Sequence, residues 1–153
     1  MSATTAANAA TPEVAFHFNV ADRMDYLCRL LRKVLAAQRQ ALVLVPESML
    51  ETLDRGLWTF SQQDFVPHAL ASAPELVRMR SPVLLASAPC EVAHADVLIN
   101  TLPEVPAGFE RFARVLEIVG LDEAERHSAR QRWRWYSGQG YTLVRHDVAQ
   151  RGV

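Results

Sequence analysis

The chain has 153 residues, half of them hydrophobic and 22% charged, with 16 basic against 17 acidic side chains and a net charge of −1. That composition carries one sizeable buried core and excludes a wholly disordered tail, a collagen-like repeat and a disulfide miniprotein. A protein that grips duplex DNA over many phosphates carries a basic excess, so the near-zero balance points any nucleic-acid role to an indirect route or a single patch.

In chain order, residues 1–12 (MSATTAANAATP) are small and polar, without the basic start and apolar run of a signal peptide, and read as a disordered lead-in. Val14–Val20 (VAFHFNV) alternates with a β-branched and aromatic bias, which predicts a strand. Asp22 is placed to cap a helix in which Met24, Leu27, Cys28, Leu31, Val34 and Leu35 recur at helical spacing. Ala41–Val45 (ALVLV) is a short apolar run without alternation, the mark of a strand buried on both faces. Glu47 or Ser48 opens a second helix through Met49, Leu50, Leu53, Leu57 and Trp58, and Ser61–Ala73 reads as irregular. Val83–Ala86 and Asp96–Asn100 are two further short strands. Pro106 fits the first turn of a helix carrying Phe109, Phe112, Val115, Leu116 and Val119, stopped by Gly120. Asp122 caps a last helix running to about Ser137, Gly138 and Gly140 end it, and Tyr141–Val144 closes as a strand. The resulting order, β-α-β-α-β-β-α-α-β, predicts a single three-layer α/β domain over 13–147 with a mostly parallel central sheet and a loose end at 148–153.

A sheet of this kind often binds nucleotides, but the sequence lacks the parts. None of the six glycines falls in a predicted strand-to-helix turn, and the turn after the first strand reads Asn19-Val20-Ala21-Asp22. The only lysine, Lys33, lies inside a helix, and Gly138-Gln139-Gly140 follows a helix, where it serves as a C-cap. The five histidines (17, 68, 94, 127 and 146) are scattered without zinc-ligand spacing; His17 reads as a sheet residue, and His68 is expected to bond a backbone carbonyl. No serine or cysteine sits in a nucleophile setting, and Asp122, Glu123 and Glu125 offset a helix dipole. These absences predict no catalytic residues, no metal and no cofactor. The remaining enzymatic reading is a nucleotide-binding α/β enzyme with an atypical site. Cys28 and Cys90 belong to no CxxC pair or Cys/His cluster, the pattern of two reduced, buried thiols in a cytoplasmic protein. No stretch approaches the ~18 apolar residues of a membrane span.

Two segments are informative. Arg126–His146 contains five arginines, two histidines and no acid. Within it Arg126, Arg130 and Trp133 fall within about 60° of one another on a helix, while Trp135 points nearly opposite and is expected to anchor the core. An exposed aromatic ring flanked by guanidinium groups suits an anionic ligand, either a phosphate backbone or a peptide with carboxylates and an apolar side chain. The alternative is a solvated basic helix with Trp133 lying on its own domain. The second segment, Leu53–Leu70 (LDRGLWTFSQQDFVPHAL), crowds Trp58, Phe60, Phe65, Val66 and Pro67 into a helix end and loop, which either pack beneath their own domain or meet another protein.

Leu53–His68 (LDRGLWTFSQQDFVPH) resembles the LW…FVPH segment of the chi subunit family of bacterial DNA polymerase III. The stretch RQRWRWYSGQGYTL resembles the closing pattern of the same family, and the likeness spans about residues 13–146. The resemblance implies a non-catalytic replisome adaptor whose fold is nucleotide-binding-like but lacks a phosphate loop. It implies two partners: the psi subunit, linking indirectly to the clamp-loader complex, and the acidic, phenylalanine-ended C-terminal tail of single-stranded DNA-binding protein. DNA is then reached mostly indirectly. The tail-binding positions of the family fall on Arg126, Arg130, Trp133 and Val119, and the psi-facing aromatics on Trp58 and Phe65. The chain departs from the family in having Arg at 126 where Lys is common and Trp at 133 where Tyr is common, which keeps charge and stacking, though Arg and Lys are not equivalent. The N-terminal dozen residues are not accounted for by the family pattern.

Overall fold

A computed structural model describes residues 11–59, 66–94 and 96–149. In chain order its elements are β1 (Glu13–Val20), α1 (Arg23–Ala36), β2 (Ala41–Leu44), α2 (Glu47–Thr59), β3 (His68–Leu70), α3 (Glu75–Arg80), β4 (Val83–Ala86), β5 (Val97–Asn100), a 3-10 turn (Phe109–Arg111), β6 (Arg114–Gly120), α4 (Glu123–Gly138) and β7 (Leu143–Asp147). Among the described residues the strands form one sheet, ordered β3-β4-β2-β5-β6-β1-β7, with every pair parallel.

Two apolar layers sandwich that sheet. On one face α1 and α2 bring Leu27, Leu31, Leu53 and Leu57 onto Val43, Leu85, Ile99 and Ile118. On the other, α4 and the 3-10 turn bring Tyr136, Ala129 and Phe109 onto Phe16, Leu98, Val115 and Val119. Central strands buried on both faces explain the unbroken apolar runs of the sequence. Each fully buried Leu or Ile contributes about 1.5–3 kcal/mol. Both expected caps are in place: Asp22 accepts from the Asp25 N–H at 3.1 Å, and Asp122 accepts from Ala124 N–H at 3.1 Å. Cys28 is buried, its thiol pushed up to about 11 by that burial, whereas Cys90 is only half-buried; both are free.

Several expectations are corrected. Residues 106–120 do not form a helix; a 3-10 turn leads into β6. Phe112, Val115 and Val119 mimic a helical period, but their partners decide otherwise. Leu116 and Ile118 enter the first apolar layer while Val115 and Val119 enter the second, an alternation of two. Gly120 therefore does lie in a strand-to-helix turn. The segment read as irregular contains β3, and the short helix α3 follows it; a three-residue strand and a six-residue helix are too brief to show a period. The closing strand is Leu143–Asp147, two residues later than expected, because on this half-exposed edge Arg145 and Asp147 replace the usual apolar signal. Most of the predicted lead-in (1–12) lies outside the described residues, as do 150–153, while Val148 N–H donates to the Phe18 carbonyl at 3.0 Å. No helix among the described residues is long and apolar enough to cross a membrane.

Candidate protein-docking site

Helix α4 packs through Ala129, Arg132 and Tyr136. Arg132 is only 6% exposed because Glu117, in the middle of β6, is wholly buried beneath it. Glu117 Oε1 accepts from Arg132 Nε at 3.1 Å and from Asn100 Nδ2 at 2.9 Å, and its Oε2 accepts from the Tyr136 hydroxyl at 2.8 Å. Burial pushes the Glu117 carboxyl above its ordinary range, against the pull of Arg132 and the two donors. Burial, then the Glu117 charge, raises Tyr136. Arg132 also donates to the Pro103 carbonyl and the Ser128 hydroxyl, at 3.1 and 2.6 Å. Asn100 and Glu117 are register partners on β5 and β6, so adjacent strands seat the network.

About a quarter turn away lies the stripe Arg126, Arg130 and Trp133. Arg126 Nη2 donates to Asn19 Oδ1 at 3.1 Å. Asn19, next to last in β1, has a φ of 64°, and its side-chain amide donates to Asp147 Oδ1 at 3.0 Å. Arg130 is exposed and donates to Glu123 Oε2 at 2.8 Å. Trp133 is not fully exposed as expected; it is half-buried, its ring edge-on to Phe16 at 5.2 Å between centroids. Trp135, expected as the core anchor, is 43% exposed, and the anchor is Tyr136. Val119 is 3% exposed in β6, on the sheet face that α4 covers. Arg145, the register partner of Phe16 on β7, lies over the Phe18 ring at 4.9 Å. The flank thus offers cations in Arg126 and Arg130 and a ring, with Arg145 on the neighbouring β7. Sequence reasoning missed Asn19 and Glu123 as partners of those cations. Neither gives a signal, since one contact spans from β1 to α4 and the other spans seven residues.

Gly120 lies in the turn from β6 to α4, a strand-to-helix turn of the general kind that can cradle a phosphate. Here Gly120 N–H donates to Glu125 Oε1 at 2.7 Å, and Glu125 pairs with Arg23 at 3.2 Å. A Cβ on Gly120 would run into that same carboxylate. The position is filled by an internal anion, which would repel a phosphate. Among the described residues no group of histidines, cysteines or carboxylates is arranged to hold a metal ion.

The second candidate surface lies at the end of α2. Leu53 and Leu57 are buried, while Asp54 and Trp58, one turn apart, lie on another side of the helix. His68 bridges Asp54 Oδ1 at 2.9 Å and the Val66 carbonyl at 2.7 Å, the backbone bond expected of it. Trp58 leans edge-on to His68, with centroids 5.4 Å apart, and remains 58% exposed. This buried bridge fixes the LD…LW…VPH residues relative to one another. Phe60 and Phe65 lie outside the described residues.

The model of the family described as DNA polymerase III chi subunit, HolC, matches residues 12–144. A DNA polymerase III subunit chi of Pseudomonas aeruginosa is 35% identical over 127 residues, covering 82% of this chain and 87% of that protein. The Haemophilus influenzae subunit chi is 25% identical over 126 residues, covering 81% and 86%. Among solved structures, the C-terminal domain of the DEAD-box protein Dbp5 covers 93% of both chains with a TM-score of 0.58 and 13% identity, a likeness of fold alone. The chain belongs to the DNA polymerase III chi subunit family, and with it to DNA replication as a non-catalytic accessory subunit.

Proposed function

We propose that the chain is a cytoplasmic adaptor of the replisome that holds two protein partners at once, through opposite edges of its sheet. One partner is the psi subunit, docked on the exposed Trp58 and on Phe65 and leading to the clamp-loader complex. The other is the acidic C-terminal tail of single-stranded DNA-binding protein, docked on Arg126, Arg130, Trp133 and Val119. DNA is reached mostly through these partners.

The observation that carries the reading is the separation of the two surfaces. Trp58 leans on His68 of β3, the first strand in the sheet order, whereas Arg126 and Trp133 pack on β1, next to the last strand. An adaptor needs surfaces that do not compete. Their chemistry also differs. An exposed tryptophan suits an apolar, long-lived contact. An exposed guanidinium at Arg130 and a half-buried one at Arg126, beside a ring, suit an acidic peptide with a terminal apolar side chain.

The test is a three-way co-elution. Intact single-stranded DNA-binding protein, psi and this chain are expected to migrate together. Truncating the tail should release only the DNA-binding protein, and Trp58→Ala should release only psi, with a loss of about 2 kcal/mol or more of binding. Loss of both partners from either change, or of neither, overturns the reading.

A further inference from the structure

Arg130 reaches back along its own helix to a carboxylate seven residues away, at 2.8 Å. Helical ion pairs ordinarily join residues three or four apart, as Arg29–Asp25 and Arg55–Glu51 do here. The residues three and four before and after Arg130 are Arg126, His127, Trp133 and Arg134, so it has no acid at the ordinary spacing. The other two acids at the start of α4 are engaged: Asp122 caps the helix, and Glu125 is tied to Gly120 and Arg23. Among the described residues Glu123 makes no such bond to the backbone or to another element, although Arg126 and His127 also act on its charge. Its side chain is 74% exposed and that of Arg130 52%, so water can replace either end of the pair.

We infer that Glu123 is a built-in competitor for the partner's carboxylate: an acidic peptide engages Arg130 by displacing Glu123. This rests on the docking reading of the α4 flank given above. Exchanging one exposed ion pair for another yields little net free energy. A carboxylate alone therefore gains little from Arg130, and a ligand must add further contacts, such as a ring against Trp133. Glu123 in this way disfavours chains that are merely acidic.

A double-mutant cycle tests this. The probe is a fluorescently labelled peptide with several aspartates and a C-terminal phenylalanine, titrated against the full chain by anisotropy at fixed salt. Glu123→Gln is expected to tighten binding by about two- to fivefold, the scale of an exposed ion pair. In the Arg130→Ala background the same change should tighten binding distinctly less, because only the weaker action of Glu123 on Arg126 and His127 remains. Equal tightening in both backgrounds would mean only that a nearby negative charge was removed, and overturns the proposal. No tightening in a protein whose Arg130→Ala variant binds more weakly also overturns it, while leaving the docking reading intact. Unaltered binding by Arg130→Ala overturns the docking reading and the proposal together. Thermal melts of each variant confirm that the compared proteins are folded.

Discussion

Arg130 and Arg132 stand two residues apart on one helix, yet they do different work. Arg132 is buried over Glu117, with its guanidinium committed to Glu117, Pro103 and Ser128. Arg130 projects from the outer flank, and its partner Glu123 is more exposed than itself. A rotation of about 200° around the helix axis separates them. The pair shows that counting cations in a basic segment overstates what a ligand can use. Arg132, which composition assigns to an anion-binding stripe as readily as its neighbours, is withdrawn into the fold.

The sharpest way to break this comparison is to remove each arginine in turn and measure stability by urea denaturation. Arg132→Met keeps the aliphatic stem but strands a buried carboxylate, a loss of about 3–5 kcal/mol. Arg130→Met should stay within about 0.5 kcal/mol of the parent. The pH dependence identifies the cause. Glu117 is already pushed up by burial, and without Arg132 it is raised further. A carboxyl raised in the folded state binds more protons there than in the unfolded chain. Its contribution is therefore complete below the ordinary carboxylate range and is lost as pH rises through the folded value. The Arg132→Met defect should be largest at neutral pH and shrink on acidification. A defect equal at both ends of that range would exclude Glu117 as its source.

Next in size is the effect on binding. Arg130→Ala should weaken an acidic, phenylalanine-ended peptide by about two- to fivefold, because in the parent the peptide carboxylate only replaces Glu123 and the net worth is that of an exposed ion pair. Exposed charges are screened, so the parent's affinity should fall as salt rises and the variant's should fall less steeply. Anisotropy at two salt concentrations reads both. A variant with the parent's affinity and salt slope would mean that Arg130 is no more a ligand contact than Arg132.

Most of the sheet and both caps were legible in the sequence, because buried parallel strands and capped amphipathic helices leave continuous or periodic patterns. Misreading one element hid the buried network. Taken as a helix, 106–120 gives Glu117 a solvent face. Taken as β6, it places a lone carboxylate in the strand RVLEIVG, buried and in register with Asn100, and such a group requires a cation from the layer above. The exchange of Trp135 for Tyr136 as anchor follows from the same omission, since it is the Tyr136 hydroxyl that completes Glu117. The stripe Arg126, Arg130, Trp133 was legible from helical spacing alone. Its ties to Asn19 and Glu123 were not, because they depend on where a strand ends and how far a side chain reaches.

The smallest expected effect concerns how the outer flank is held. Asn19 sits at φ of 64°, a backbone region that glycine and asparagine tolerate and most residues do not. Its amide accepts from Arg126 and donates to Asp147. Asn19→Gly keeps the backbone without strain and deletes only the amide. Arg126 then loses its orienting contact, and the acidic peptide should bind about twofold more weakly, the scale of an exposed polar contact. Asn19→Ala removes the same amide but adds strain of about 1 kcal/mol or more in stability. Peptide affinity should therefore be equal for the two variants while their urea midpoints differ. If affinity instead tracks the midpoint, Asn19 acts through the fold of β1. If Asn19→Gly binds like the parent, Arg126 needs no such tie, and the outer flank is organised by α4 alone.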